Sequence, residues 1–242
     1  MSQKQKIIKL YGQRKSVIDF DKNRIHYAYQ KYKHKIESNF LKKTISNISS
    51  TNIKILDVAC GTGRMLPEIF KTKNKIEYIG LDSSREMFKE LKKKEAFKKN
   101  KKNISLVLSD ATKIPYKSNY FDIVYTYHLL WHLEKEDQKK IILEMKRVTK
   151  KGGIIIFDIL NKDFIWEKLK KYFGKKKSEG LYKQKISEVK EILRYVNNIE
   201  MEKLSDAIIK NDNIYRMFNI INIFRDFLPS LFFHMIYFKV KK

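Results

Sequence analysis

Residues 55–64, which read ILDVACGTGR, decide the fold. They complete an apolar run that begins at Ile53 and predicts a short buried strand ending at Val58. Gly61 and Gly63 follow this strand, and Met65 and Ile69 come next, four residues apart as on one face of a helix. Glycines let a ligand approach the backbone, and the N-terminus of the next helix favours negative charge. The stretch therefore predicts a ligand site at the end of a strand.

Further apolar runs alternate with helical patterns after this stretch. They predict buried strands at residues 76–81, 104–108, 121–127 and 154–159, an edge strand at 199–204 and a last strand at 235–240. Residues 83–86 form a capping-box pattern that opens a helix, whereas Lys151-Gly152-Gly153 is a signal for the end of one. The alternation implies right-handed crossovers and predicts an α/β fold, a three-layer sandwich.

The chain is predicted to form a single domain with three parts. Residues 1–50 are a tail and a helical cap, 51–160 a cofactor-binding core, and 161–242 a substrate-side segment that completes the sheet. Residues 1–20 are interpreted as a basic, poorly specified tail. One apolar helix face is predicted from the spacing of Ile25, Tyr29, Tyr32, Ile36 and Phe40.

The composition limits the classes of function. The 242 residues carry a formal net charge of +26, with 45 Lys and only 8 Arg among the 53 basic residues. Nucleic-acid binders rely on Arg for bidentate contacts, so coding bias in a GC-poor genome is favoured over a dedicated polyanion site. No apolar run approaches the ~20 residues of a membrane span, and Cys60 alone cannot form an intrachain disulfide. We expect a cytoplasmic protein without a secretory signal or transmembrane segment.

Two acids flank the glycine turn. Asp57 lies four residues before Gly61, and Asp82 ends the second predicted strand, where an acid can accept both hydroxyls of a ribose. A dinucleotide site would carry a third glycine, which the chain lacks, and Asp57 would repel a pyrophosphate. The sign of the charge therefore favours S-adenosylmethionine, a cationic sulfonium with an amino-acid tail, over NAD.

Five segments in order carry a family resemblance: ILDVACGTGR, IGLDSSREM, LSDATKIPY, FDIVYTYHLLWHL and MKRVTKKGGIIIFDI. Together they resemble class I S-adenosylmethionine-dependent methyltransferases, specifically the small-molecule branch with the ubiquinone/menaquinone-type enzymes. The resemblance covers residues 50–160. It implies a Rossmann-like, seven-stranded, mostly parallel sheet with an antiparallel final strand, and S-adenosylhomocysteine as the product.

The resemblance also implies roles for individual residues. Asp57, Gly61 and Gly63 would line the methionine part of the cofactor, and Asp82 would bind the ribose. Ser83 and Met87 would lie near the ribose and adenine, and Asp110 and Ala111 would belong to the segment that flanks the adenine ring. Ala59 departs from the glycine that many members have at this position. Tyr127 and His128 follow the fourth strand, where the reactive methyl group usually faces the substrate.

An oxygen or carbon acceptor needs a base, and the candidates are His128, His132 and Tyr127, with His128 ranked first. No metal-ligand cluster is visible. The residues after the fourth strand, Tyr125-Thr126-Tyr127-His128, do not resemble the motif of enzymes that methylate base amino groups. We therefore expect a small-molecule acceptor, such as a metabolite or a lipid or quinone-like head group. An RNA methyltransferase and a catalytically silent cofactor-binding module remain as alternatives.

Overall fold

The computed structural model describes residues 3–13, 16–18, 28–164, 181–193, 198–204 and 235–242. The first half of the described chain contains helices α1 (Gln3–Tyr11), α2 (Ala28–Ser46), α3 (Leu66–Ile69), α4 (Arg85–Lys93) and α5 (Glu95–Asn100), with strands β1 (Asn52–Val58) and β2 (Lys75–Asp82). The second half contains β3 (Ile104–Leu108), β4 (Phe121–Tyr125), α6 (Lys135–Val148), β5 (Thr149–Leu160), α7 (Ile186–Ile192), β6 (Asn198–Leu204) and β7 (Met235–Lys241).

The seven described strands form one sheet in the order β3-β2-β1-β4-β5-β7-β6. The first five pair in parallel, and β7 runs antiparallel to both β5 and β6. The predicted mostly parallel, seven-stranded sheet with an antiparallel final strand is therefore confirmed. The order reverses between β1 and β4, which is where open α/β sheets form a ligand crevice at the carboxyl ends of their strands.

Two apolar clusters cover the two faces of the sheet. Alternate residues of β1 divide between them, with Leu56 and Val58 on one face and Ile53 and Ile55 on the other. Helices α6 and α7 pack on the first face, and α2, α3, α4 and α5 pack on the second. This is the predicted three-layer sandwich, whereas the division of the chain near residues 50 and 160 stays a prediction.

The face of α2 that the sequence predicts to be buried is not its most deeply buried face, which lies next to it. Tyr32, Ile36 and Phe40 are only half-buried, while Lys33 and Glu37 are buried together with Leu41, Thr44 and Ile45. Ile25 and the side chain of Tyr29 lie outside the described residues. The most buried stripe of this helix thus includes two charged residues, which the apolar pattern does not indicate.

Three local predictions are corrected. Residues 3–11 of the supposed tail form α1. The cap of α4 is Ser84, whose hydroxyl accepts the Met87 N–H, one residue later than the predicted capping box. The paired glycines do not end helix α6, which already ends at Val148. Gly152, at φ 77°, and Gly153 lie inside β5, beside an irregularity in its register with β4.

Within the described part of the chain, no helix is both long and apolar enough to cross a membrane.

Candidate functional site

A cleft opens at the carboxyl ends of β1, β2 and β4, where the sheet order reverses. Most of the residues predicted for the site line it: Asp57, Gly61, Asp82, Ser83, Met87, Tyr127, His128 and His132. Asp110 and Ala111 line a smaller pocket that shares Asp82 and Ser83 with this cleft. Parallel strands that end at one edge of the sheet thus bring together residues from widely separated parts of the chain.

The glycine turn is held in left-handed backbone conformations. Ala59, Gly61 and Gly63 have φ values of 59°, 55° and 71°. A Cβ atom at Gly61 would meet only the Met87 sulfur, at 3.8 Å, so this glycine faces open space. A Cβ atom at Gly63 would lie 2.8–2.9 Å from Leu66 and Leu91, so Gly63 permits close packing and does not reach the cleft.

Asp57 lies near the end of β1 and is only 5% exposed. Its Oδ2 accepts hydrogen bonds from the hydroxyls of Tyr78 and Tyr125, at 2.7 and 2.5 Å. Burial raises the pKa of this carboxyl to about 7, although the two hydroxyls and the Arg64 guanidinium act to lower it. A cation bound in the cleft would favour the ionised form of Asp57.

Asp82 connects the glycine turn to the start of α4. Its Oδ2 accepts the Gly61 N–H at 2.8 Å, and its Oδ1 accepts the Ser84 N–H at 2.9 Å. Burial raises the pKa of this carboxyl, and the backbone N–H groups oppose the rise. A carboxylate has about four lone-pair directions, so both oxygens can accept a further bond from a ligand hydroxyl.

Helix α1 closes one side of the cleft. The Ser84 hydroxyl donates to the Tyr11 carbonyl at 2.6 Å, and Ile8 and Tyr11 line the cleft. Sequence reasoning missed this contribution because a nine-residue, lysine-rich segment carries little helical signal of its own.

Of the three predicted bases, Tyr127 is unsuited to that role. Burial, together with the charges of Glu37 and Asp158, raises its pKa well above the usual range, so the phenol stays protonated at neutral pH. His132 lines the cleft with its ring stacked on Trp131, the centroids 4.5 Å apart.

His128 also lines the cleft, with φ at 64°. Its backbone N–H donates to Asp158 Oδ1 at 2.8 Å, and its Nε2 lies 2.6 Å from Glu37 Oε1. A positive φ is uncommon outside glycine and costs free energy, so these contacts hold the residue in a conformation it would not adopt alone.

Glu37 is the main residue of this site that sequence reasoning missed. Its side chain is fully buried, and its Oε2 lies 2.6 Å from the Arg64 guanidinium. Burial raises the pKa of this carboxyl, but Arg64, His128 and Lys33 outweigh that effect and place it well below the usual range. An ionised carboxylate removed from water costs several kcal/mol unless it is paired, and here it is paired.

Glu37, His128 and Asp158 have ligand atoms within 4.8 Å of one another, a spacing that a metal ion can bridge. Arg64 already neutralises the charge of Glu37. Burial raises the pKa of Asp158 to about 6, and the nearby charge of Lys33 opposes this rise. Protein cations thus supply the positive charge that a metal would bring, and we assign no metal to the trio. Asp158 accepts hydrogen bonds from the His128 backbone N–H and from the Trp131 Nε1–H.

Comparison with known proteins shows which protein families the chain resembles. Residues 56–157 match the family described as "Methyltransferase domain". An uncharacterized methyltransferase of Schizosaccharomyces pombe is 39% identical over 107 residues, which are 42% of this chain and 38% of that protein. The ubiquinone/menaquinone biosynthesis C-methyltransferase of Burkholderia orbicola is 32% identical over 120 residues, 50% of this chain and 47% of that enzyme. The chain thus spans less than half the length of these two relatives.

Solved structures share the fold. The magnesium protoporphyrin IX methyltransferase of Synechocystis, determined with bound S-adenosylhomocysteine, superposes with a TM-score of 0.69 over 99% of both chains at 15% identity. An S-adenosylmethionine-dependent methyltransferase from Archaeoglobus fulgidus gives 0.58, covering 86% of this chain and 94% of that one at 19% identity.

Residues 56–157, less than half of the chain, thus match a methyltransferase-domain family, and the sheet has the fold of solved S-adenosylmethionine-dependent methyltransferases. Over part of its length the chain is similar to the ubiquinone/menaquinone biosynthesis C-methyltransferases. The predicted resemblance to methyltransferases is confirmed for residues 56–157, and the predicted fold is confirmed.

Proposed function

We propose that the chain transfers the methyl group of S-adenosylmethionine to a small-molecule acceptor in the cleft. The observation that carries this proposal is the convergence of Asp57, Asp82 and His128 on one cleft at the switch point of the sheet. When bound, the cofactor supplies an electrophilic methyl group on a positively charged sulfur. The residues therefore have to hold it, align the acceptor and exclude water.

The donor set of the cleft fits this cofactor. Asp57 carries a raised pKa and would be stabilised in its ionised form by the ammonium or the sulfonium. Asp82 offers acceptors for two ribose hydroxyls beside the open Gly61 backbone. We assign Ser83 and Met87 to the ribose and adenine, and Asp110 and Ala111 to the adenine edge, because they line the cleft and its adjoining pocket.

His128 is our first candidate for the base that removes a proton from the acceptor, and His132 is the second. Both line the cleft, and imidazole exchanges protons near neutral pH. A small-molecule acceptor is supported by two similar proteins, a C-methyltransferase of ubiquinone/menaquinone biosynthesis and, in fold, a magnesium protoporphyrin IX methyltransferase. The acceptor atom can be oxygen, nitrogen or carbon.

The test is to incubate the protein with cell extract and S-adenosylmethionine that carries an isotopically labelled methyl group, followed by mass spectrometry. We expect one labelled small molecule and an equal amount of S-adenosylhomocysteine. Asp82→Ala should lose most of this transfer, whereas Glu136→Ala, which removes an exposed acid on α6, should match the parent. Tight binding of S-adenosylhomocysteine without any labelled product would instead support a catalytically silent module.

A further inference from the structure

Two acids hold His128 from opposite ends. Asp158, on β5, accepts its backbone N–H, and Glu37, on α2, faces its ring nitrogen Nε2 at 2.6 Å. The backbone of His128 is in a left-handed conformation, with φ at 64°. Such conformations persist only where the surroundings impose them, and they concentrate at functional sites. The two contacts therefore fix both the place and the rotation of the imidazole ring.

Glu37 reaches this position from a distant part of the chain. It precedes His128 by 91 residues, and its carboxylate also meets Arg64, after the glycine turn, and the Tyr237 hydroxyl of β7, at 2.6 and 3.0 Å. An apolar side chain here would leave the Arg64 guanidinium without its partner, which costs several kcal/mol. The ion pair with Arg64 uses Oε2, whereas it is Oε1 that faces His128, so the second oxygen serves a separate contact.

We infer that Glu37 is a positioning residue that fixes the tautomer of His128, with the proton of the neutral ring on Nε2. The inference rests on the proposed function, in which His128 is the base. Ionised Glu37 is an acceptor only, so the proton it shares with the ring belongs to Nε2, and a neutral imidazole then carries its lone pair on Nδ1. When the ring takes the acceptor proton in the proposed function, Glu37 stabilises the imidazolium that forms.

The charges around the pair are consistent with this role. Arg64 and Lys33 face Glu37 from the glycine turn and from α2, and Asp158 faces His128 from β5. Tyr127 and Tyr237 add phenols, and the Tyr127 hydroxyl donates to the Glu37 carbonyl. Arg64 keeps Glu37 ionised, so the carboxylate can stabilise the imidazolium without taking its proton.

The first test reads the tautomer directly. In protein with ¹⁵N-labelled histidine, with the His128 signals assigned by loss in His128→Gln, we expect the neutral ring to carry its proton on Nε2. In Glu37→Gln we expect the imidazolium to lose its proton at a lower pH. A neutral ring protonated on Nδ1, or an unchanged titration in Glu37→Gln, would overturn the inference. This measurement needs no methyl acceptor, so it stands even if the proposed function fails.

The second test follows the rate of label transfer in the extract assay against pH. Glu37→Gln should lower the rate at least tenfold at neutral pH, move its rising limb to lower pH, and leave the Kd of S-adenosylhomocysteine within twofold. In a His128→Gln background the same change should have no further effect. Glu68→Gln removes an α3 acid paired with Lys42 of α2 and is the matched control, with the parent rate. Equal losses with and without His128 would mean a structural role and overturn the inference.

Discussion

At the residue scale, Asp57 couples the binding of a cation to pH. Burial raises its pKa to about 7, so below neutral pH the carboxyl of the free protein is mostly protonated. A positively charged ligand binds the ionised form better, and it therefore releases a proton when it binds below the pKa. We expect S-adenosylmethionine to bind about tenfold more weakly at pH 6 than at pH 8, since each pH unit below the pKa costs about 1.4 kcal/mol.

Isothermal titration calorimetry in two buffers of different ionisation enthalpy measures both the affinity and the proton count. Asp57→Asn should bind with an affinity that does not change between the two pH values. Tyr78→Phe removes a hydroxyl that stabilises the ionised carboxylate, so it should move the pH dependence upward. The same Kd for the parent at both pH values would contradict the proposed contact between Asp57 and the cofactor.

At the scale of elements, the two glycines of the turn should respond differently to alanine. Both have positive φ, so each substitution strains the backbone, but only a Cβ atom at Gly63 would strike Leu66 and Leu91. Overpacking of this kind costs about 1–3 kcal/mol, so we expect Gly63→Ala to lower the free energy of unfolding by that much more than Gly61→Ala. Urea denaturation measures the difference.

Ligand binding should separate the same two variants in the opposite direction. Gly61 lines the cleft and Gly63 does not, so Gly61→Ala should weaken S-adenosylhomocysteine binding more than Gly63→Ala does. If Gly63→Ala were as stable as Gly61→Ala, the packing described for the turn would be wrong.

Elements of the sheet core could be predicted because their signals are local. Each parallel strand is a short apolar run, and β3 begins and ends where its pattern does. The signals of Gly152 and Gly153 were local too, but they were ambiguous. Paired glycines after a helical pattern favour a helix end, whereas here a Cβ atom at Gly153 would lie 2.9 Å from the Asp122 carbonyl of the neighbouring strand. That close approach depends on strand pairing, which the sequence does not reveal.

The residues of the candidate site also differ in whether the sequence could predict them. Asp57 and Asp82 could be predicted because the ends of neighbouring parallel strands meet at one edge of the sheet. Glu37 could not, because it lies among half-buried aromatic residues of α2 and meets His128 only through the packing of that helix on the sheet. Nothing at residues 33–41 signals an acid that belongs to a cleft. Long-range contacts of this kind follow from the assembled fold.

At the scale of the whole molecule, the net charge of +26 separates the small-molecule proposal from an RNA acceptor. An enzyme that holds RNA through 6–10 phosphate contacts loses about 10³–10⁵ in affinity between 50 and 200 mM salt, because bound counterions are released. A small acceptor in the cleft makes few such contacts.

We expect the rate of label transfer in extract to change less than about threefold over this salt range and to survive ribonuclease treatment, while weak binding of the protein to arbitrary RNA disappears. The same assay with heat-denatured protein gives the background. Loss of the labelled product after ribonuclease, together with a steep salt dependence, would contradict the small-molecule proposal. RNA would then be the acceptor, and the abundant lysines would be explained by RNA binding and not by coding bias.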